Sequence, residues 1–158
     1  MKNQIVLRTF CDSYVSLMKH WLPKPYILKW YEEPNEWLNE IALRHEKFSF
    51  IKHFIIQVDG EDISFCQYYP YEKGWETWHG SLPIEGTYSI DYLIGEESYL
   101  GKGYGKETIR TLCSKVFKET DAKRIIVQPH ESNAASRNTL LSAGFTYNDK
   151  NQLFIIER

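Results

Sequence analysis

A chain of 158 residues, 42% apolar and 25% charged, is sized for one domain around a single core and has an ordinary globular composition. No apolar run approaches the roughly 20 residues that cross a bilayer. With a net charge of −2 and a pI near 6.2 no basic surface dominates, so neither a membrane nor nucleic acid is expected as a partner.

The start, "MKNQIVLRTF", goes straight into a strand-like alternation without the apolar block and cleavage site of a leader, which points to a cytoplasmic protein. Residues 4–10 (QIVLRTF) read as the first strand. Asp12 or Ser13 can cap a helix over residues 13–22, which Pro23 and Pro25 end. Pro34 opens a second helix through residue 46, with Trp37, Leu38 and Ile41 at helical spacing. Residues 54–71 form a hairpin that turns at Asp59-Gly60. After an irregular stretch, residues 87–95 (TYSIDYLIG) make another strand. A glycine loop then opens a helix over residues 103–120, whose Ile109, Leu112, Cys113, Val116 and Phe117 share one face. A buried-type strand follows at 122–129. Asn133 caps a helix over 134–143, Gly144 ends it, and residues 145–158 close the chain as a hairpin. The order β-α-α-β-β-β-loop-α-β-α-β-β predicts one α/β domain over residues 1–158, built on a mixed, mostly antiparallel sheet of about six or seven strands with about four helices.

Charge is unevenly spread. Residues 59–97 carry nine acids against Lys73, whereas residues 101–124 carry seven bases against three acids. Both sets can be solvated faces; the sharper reading is an anionic ligand held on one side and a cationic one on the other. Cys11, Cys66 and Cys113 stand far apart with no C-x-x-C pair and read as reduced core thiols, and no metal is expected.

The loop "ESYLGKGYGKETI" (97–109) places Gly101, Gly103 and Gly105 at alternate positions with Lys102 and Lys106 among them. Glycine backbone approaches a ligand closely, and the following helix presents its positive end, so the loop is built to cradle an anion. Two phosphate motifs fail on spacing. A P-loop needs Ser or Thr after Gly-Lys and finds Glu107, with Leu100 where its first glycine belongs; a dinucleotide fingerprint needs G-x-G-x-x-G at a first strand.

Taken with the downstream segment "HESNAASRNTLLSAGF", the loop resembles that of the GNAT N-acetyltransferases over about residues 86–146. Within them "SIDYLIG…SYLGKGYG" is most similar to the aminoglycoside 6′-N-acetyltransferases, and a looser likeness runs nearly end to end. This resemblance implies acetyl-CoA as co-substrate, with its pyrophosphate on the loop residues Leu100, Gly101, Lys102, Gly103, Tyr104, Gly105 and Lys106. It puts the pantetheine near Asn133 and Ser136, and a splayed central strand whose Tyr92, Leu93 and Ile94 amides polarise the thioester carbonyl. It implies direct attack by the amine in a ternary complex, with no acyl-enzyme. Many members place a tyrosine near the departing thiol at the position of Leu140; here either the thiolate leaves without a dedicated acid or another group, such as Tyr104 or Tyr147, serves.

An amine attacks only as its free base, so a carboxylate beside it must accept a proton. Asp91, an acid in mid-strand, is the candidate, since such a position is costly unless it faces a polar cleft; a structural pairing with Lys or a turn cap is the alternative. The resemblance places the catalytic Asp at the same position. Cys113, on the apolar face of its helix, reads as core and not as a nucleophile. For a cationic small-molecule amine acceptor, Trp30, Tyr31, Tyr68, Trp75 and Trp78 offer flat faces to sugar rings. Gln128 stands where the resembling enzymes carry an acid, beside Pro129 and His130. Other acceptors, namely a protein N-terminus, a polyamine or a siderophore-like metabolite, and a non-catalytic acyl-CoA sensor are the alternatives. Monomer and homodimer are equally open.

Overall fold

The computed structural model describes residues 4–158; the three residues before them, which the leader reading includes, lie outside the described residues. Seven strands form one sheet in the order β1-β2-β3-β4-β5-β7-β6, where β1 is Ile5–Thr9, β2 Lys52–Val58, β3 Glu61–Pro70, β4 Thr87–Ile94, β5 Arg124–Val127, β6 Thr146–Asn148 and β7 Leu153–Glu157. All neighbours are antiparallel except β4 and β5.

Five helices cover the two faces: α1 (Val15–Trp21), α2 (Pro25–Leu28), α3 (Pro34–Ala42), α4 (Tyr104–Glu119) and α5 (Ala134–Ser142). The extra helix arises because Pro25 does not only end what precedes it. Its fixed φ suits the first position of the single turn α2. Asp12 and Ser13 lie in a 3-10 turn ahead of α1 without capping it through a side chain, and α3 stops at Ala42 rather than at residue 46.

Strand alternation sorts the core. Ile63, Cys66, Tyr68 and Ile90 pack with Leu112, Val116 and Leu140 on the α4–α5 face. Phe65 and Leu93 pack with Met18, Trp21, Ile27 and Ile41 on the α1–α3 face. A bulge in β3 at Ile63 sets this parity, because Ile56 pairs with Ser64 while Gln57 pairs with Asp62. Cys66 and Cys113 are buried as expected. Cys11 is not a core thiol: it is exposed, its Sγ 3.0 Å from Ser13 Oγ.

The feature that positions the site is a fork. β4 pairs with β5 only at Thr87, Tyr88 and Ser89, while β3 continues alongside β4 to Ile94. Ser89 closes the fork by donating to the Ile126 carbonyl at 2.7 Å. Beyond it β5 turns away through Pro129, which has no N–H to offer a neighbouring strand. At the far end of β4, Trp21 lies flat against Gly95, where a Cβ would come within 1.9 Å of the indole, and its Nε1 donates to Glu96 at 2.8 Å. This contact ties α1 to the open half of the strand.

Candidate active site

Asp91 sits in mid-β4, half-buried on the α1–α3 face, directly opposite Gln67 of β3. Its partner is that glutamine and not a lysine: Gln67 Nε2 donates to Asp91 Oδ2 at 2.8 Å. Burial pushes the Asp91 carboxyl up to about 6; the Gln67 hydrogen bond opposes the rise and the nearby Glu76 carboxylate adds to it. Gln67 is 2% exposed, and its Oε1 is sealed from solvent with no hydrogen-bond partner.

Two cavities meet at this carboxylate. The first, of about 330 Å³, is lined by Glu40, Gln67, Glu76 and Asp91 together with Trp37 and Trp75. The second, of about 270 Å³, shares Asp91 and Glu76 and runs through the fork past Trp30, Trp78, Tyr92 and Ser136. Burial pushes Glu40 up to about 7, with Asp91, Glu36 and Glu76 adding to the rise. Glu76 accepts from the Tyr69 hydroxyl on one oxygen and from Trp78 Nε1, at 2.6 Å, on the other. Three carboxylates and several aromatic faces therefore converge where a cation would be stabilised.

Only part of the acid-rich segment 59–97 contributes. Asp91 and Glu76 reach the cavity; Asp59 holds the Gln4 amide and Glu96 holds Trp21. Glu40 comes from α3, outside that segment, and sequence reasoning missed it. The available signal was an acid set between Trp37 and Ile41 on an otherwise apolar helix stripe. Among the aromatics, Trp30, Tyr31, Trp75 and Trp78 line one or other cavity, and Gln128 borders the second while donating to the Gln152 carbonyl at 3.0 Å. Tyr68 does not join them. Parity turns it to the α4 face, where it is 6% exposed and stacks on Phe54, and its neighbour Tyr69 takes the place facing Asp91.

Along the open edge of β4, the Tyr92 carbonyl accepts from the Tyr31 hydroxyl and the Ile94 carbonyl from Tyr26 Oη, the latter at 2.7 Å. Backbone groups of one residue point to the same side of a strand, so the Tyr92 and Ile94 amides face the fork as well. Leu93 departs from expectation: alternation turns its amide toward β3, and its side chain is buried beside Phe65.

The glycine loop leads into α4. Gly101 and Gly103 hold φ of 71° and 86°, and a Cβ on either would meet nothing within 4 Å. No side chain caps α4 at Gly103, and the Glu107 N–H reaches the Gly103 carbonyl at 3.2 Å. The Gly105 and Lys106 amides precede that bond and lie in the first turn, at the positive helix end. Open space, aligned amides and two lysines fit a pyrophosphate. At the other side of the fork Asn133 caps α5, its Oδ1 accepting from the Ser136 amide at 3.2 Å, and Ser136 Oγ lies 2.6 Å from Tyr92 Oη. Cys113 is buried on the inner face of α4, where burial pushes its thiol up to about 12 and so keeps it protonated.

A family profile described as an acetyltransferase (GNAT) domain matches residues 12–153. The chain belongs to the GNAT acetyltransferases. As a GNAT enzyme it is an acyltransferase that uses acetyl-CoA. It is 24% identical over 149 residues to an aminoglycoside N(6′)-acetyltransferase type 1 of Klebsiella pneumoniae, covering 90% of this chain and 74% of the relative. Its fold matches that of the aminoglycoside acetyltransferase AAC(6′)-Ib in complex with coenzyme A and kanamycin, with a TM-score of 0.84 at 21% identity over 98% of this chain and 95% of the other. RimL, a ribosomal L7/L12 alpha-N-protein acetyltransferase in complex with coenzyme A, shares the fold at a TM-score of 0.72 and 17% identity, over 97% and 93% of the two chains. One fold thus serves different acceptors, and the acceptor must be argued from the site. Among the described residues no helix is long and apolar enough to cross a membrane.

Proposed function

We propose that this GNAT enzyme, as a single catalytic domain in the cytoplasm, transfers acetyl from acetyl-CoA to a primary amine of a cationic amino sugar, the 6′-amine of an aminoglycoside. The observation that carries the reading is the meeting of Glu40, Glu76 and Asp91 in one aromatic-walled cavity that opens onto the fork. A polyamine sugar offers several ammonium groups to such a site, whereas a peptide N-terminus offers one. The acid expected near residue 128 is absent, and Glu40 adds a carboxyl in the adjoining cavity instead.

In this reading Leu100 to Lys106 hold the pyrophosphate, with Asn133 and Ser136 beside the pantetheine. The Tyr92 and Ile94 amides point at the carbonyl oxygen as negative charge develops there. Asp91 accepts the proton that the amine gives up as it attacks directly, in a ternary complex. A carboxyl near 6 is mostly ionised at neutral pH yet closer to an amine in basicity than an ordinary aspartate is. Trp75 and Trp78 carry the sugar rings, while Trp30, beneath Lys29 Nζ at 4.8 Å and beside the His130 ring at 5.7 Å, forms the rim.

An acceptor panel read by thiol release from acetyl-CoA tests the proposal. Turnover on kanamycin or tobramycin supports it. Turnover confined to peptides, linear polyamines or hydroxylamines would move the acceptor to one of those classes, and coenzyme binding without turnover on any amine would leave only a sensor.

A further inference from the structure

Expulsion of a thiolate is eased by a proton donor at sulfur, and Leu140, 0% exposed, offers no hydroxyl at its own position on α5. Tyr104 and Tyr147 do not fill the gap. Tyr104 opens α4 with its ring 5.2 Å from that of Tyr99, and Tyr147 lies on β6 against Phe154 and the Arg137 guanidinium; neither lines the cavities that meet at Asp91. Tyr31 does line one, but its proton is committed to the Tyr92 carbonyl.

Tyr92 follows Asp91 in the chain and leaves β4 on the opposite face, toward α5. It borders the same cavity as Asp91, and its hydroxyl is 2.6 Å from Ser136 Oγ. Ser136 and Leu140 are four residues apart, one above the other on the same face of α5. The phenol of Tyr92 therefore enters from the strand the space that a tyrosine at 140 would reach from the helix. Either oxygen of the Tyr92–Ser136 pair can donate; when Ser136 does, the Tyr92 proton is free to point into the fork.

Building on the acetyl-transfer reading above, we infer that Tyr92 is the proton donor to the departing sulfur and that Ser136 is its positioning partner. As the amine nitrogen bonds to the acetyl carbon, the C–S bond breaks and its electron pair stays on sulfur. Asp91 takes the ammonium proton, and Tyr92 gives its proton to sulfur, so free thiol leaves. Half-buried Ser136 then returns a proton to the phenolate and recovers one from solvent, to which Asp91 releases its own. Burial holds the Tyr92 hydroxyl above the usual phenol range, so it stays protonated throughout an assay and gives up its proton only as charge builds on sulfur.

The test compares Tyr92→Phe, Ser136→Ala and the double change Tyr92→Phe/Leu140→Tyr with the parent enzyme. Parent turnover is measured first: its absence on every amine would overturn the acetyl-transfer reading itself. Given turnover, Tyr92→Phe is expected to lower kcat by about 100-fold with KM for acetyl-CoA unchanged, and Ser136→Ala by no more than about 5-fold, since it keeps the phenol. Tyrosine at 140 in the Tyr92→Phe background is expected to recover much of the rate. The inference is overturned if Tyr92→Phe keeps kcat within about two-fold. It is equally overturned if both single changes cost the same, because then only their shared hydrogen bond matters. If the double variant does not fold, the comparison of the two single variants decides alone.

Discussion

Gln67 holds Asp91 through Nε2 at 2.8 Å while its own Oε1 stays buried and unpartnered beside the same cavity. One amide thus fixes the Asp91 carboxyl through its nitrogen and keeps its own oxygen buried without a partner, which is costly. The hydrogen bond also opposes the rise of the Asp91 carboxyl. Gln67→Leu removes that opposition, so the acid limb of the kcat/KM profile should move to higher pH. A limb that stays in place, or moves lower, would separate Gln67 from the base.

Glu40 is expected to bind and not to react. Glu40→Gln should raise KM for a polycationic acceptor about 10-fold, roughly 1.4 kcal/mol, while kcat stays within about two-fold; steady-state kinetics with a tri-amine and a mono-amine sugar checks this.

The same substitution should alter stability in a pH-dependent way. The folded enzyme holds Glu40 near 7 against an ordinary 4.5, so between those values the folded state binds more protons than the unfolded chain. Stability therefore falls as pH rises through that window. Glu40→Gln should melt roughly 3–6 °C higher than the parent at pH 8 and no higher at pH 4, by thermal unfolding at the two values.

At the coenzyme end, Gly103 has φ of 86° and no atom within 4 Å of a virtual Cβ. Gly103→Val would strain the loop by about 1–2 kcal/mol and project methyl groups into the pyrophosphate space. Acetyl-CoA affinity should fall at least 10-fold while the domain stays folded, measured by calorimetric titration and circular dichroism. Unchanged affinity would remove the phosphate from this loop.

Trp75 is 73% exposed and sits on the cavity rim. Trp75→Ala should leave the melting temperature within about 1 °C and raise KM for the acceptor several-fold. A loss of stability instead would make the indole a packing residue.

The sequence carried most of the frame because its signals are local. The Asp59-Gly60 hairpin, the glycine loop before α4 and the Asn133 cap on the Ser136 amide each depend on neighbours within a few residues. What it hid depends on parity and on tertiary packing. Tyr68 and Tyr69 are chemically alike, and only the bulge at Ile63 and the pairing with β4 decide which one faces Asp91. Leu93 was misread for the same reason, since alternation aims its amide into the sheet. Glu40 reaches the cavity only because α3 packs over Phe65 and Leu93, a contact between segments more than twenty residues apart. Pro25 punctuates in both directions, and only the structure shows that a helical turn begins there.

Under the proposed function, Asp91 accepts the proton from an amine of a cationic sugar as acetyl is transferred. The most direct test is thiol release from acetyl-CoA with kanamycin, parent enzyme against Asp91→Asn, with the product located by NMR. One acetyl group is expected on the 6′-amine, with a kcat about 100-fold to 10,000-fold lower in the variant. An Asp91→Asn enzyme that keeps its rate, or a parent that acetylates no amine of the sugar, would contradict the proposal.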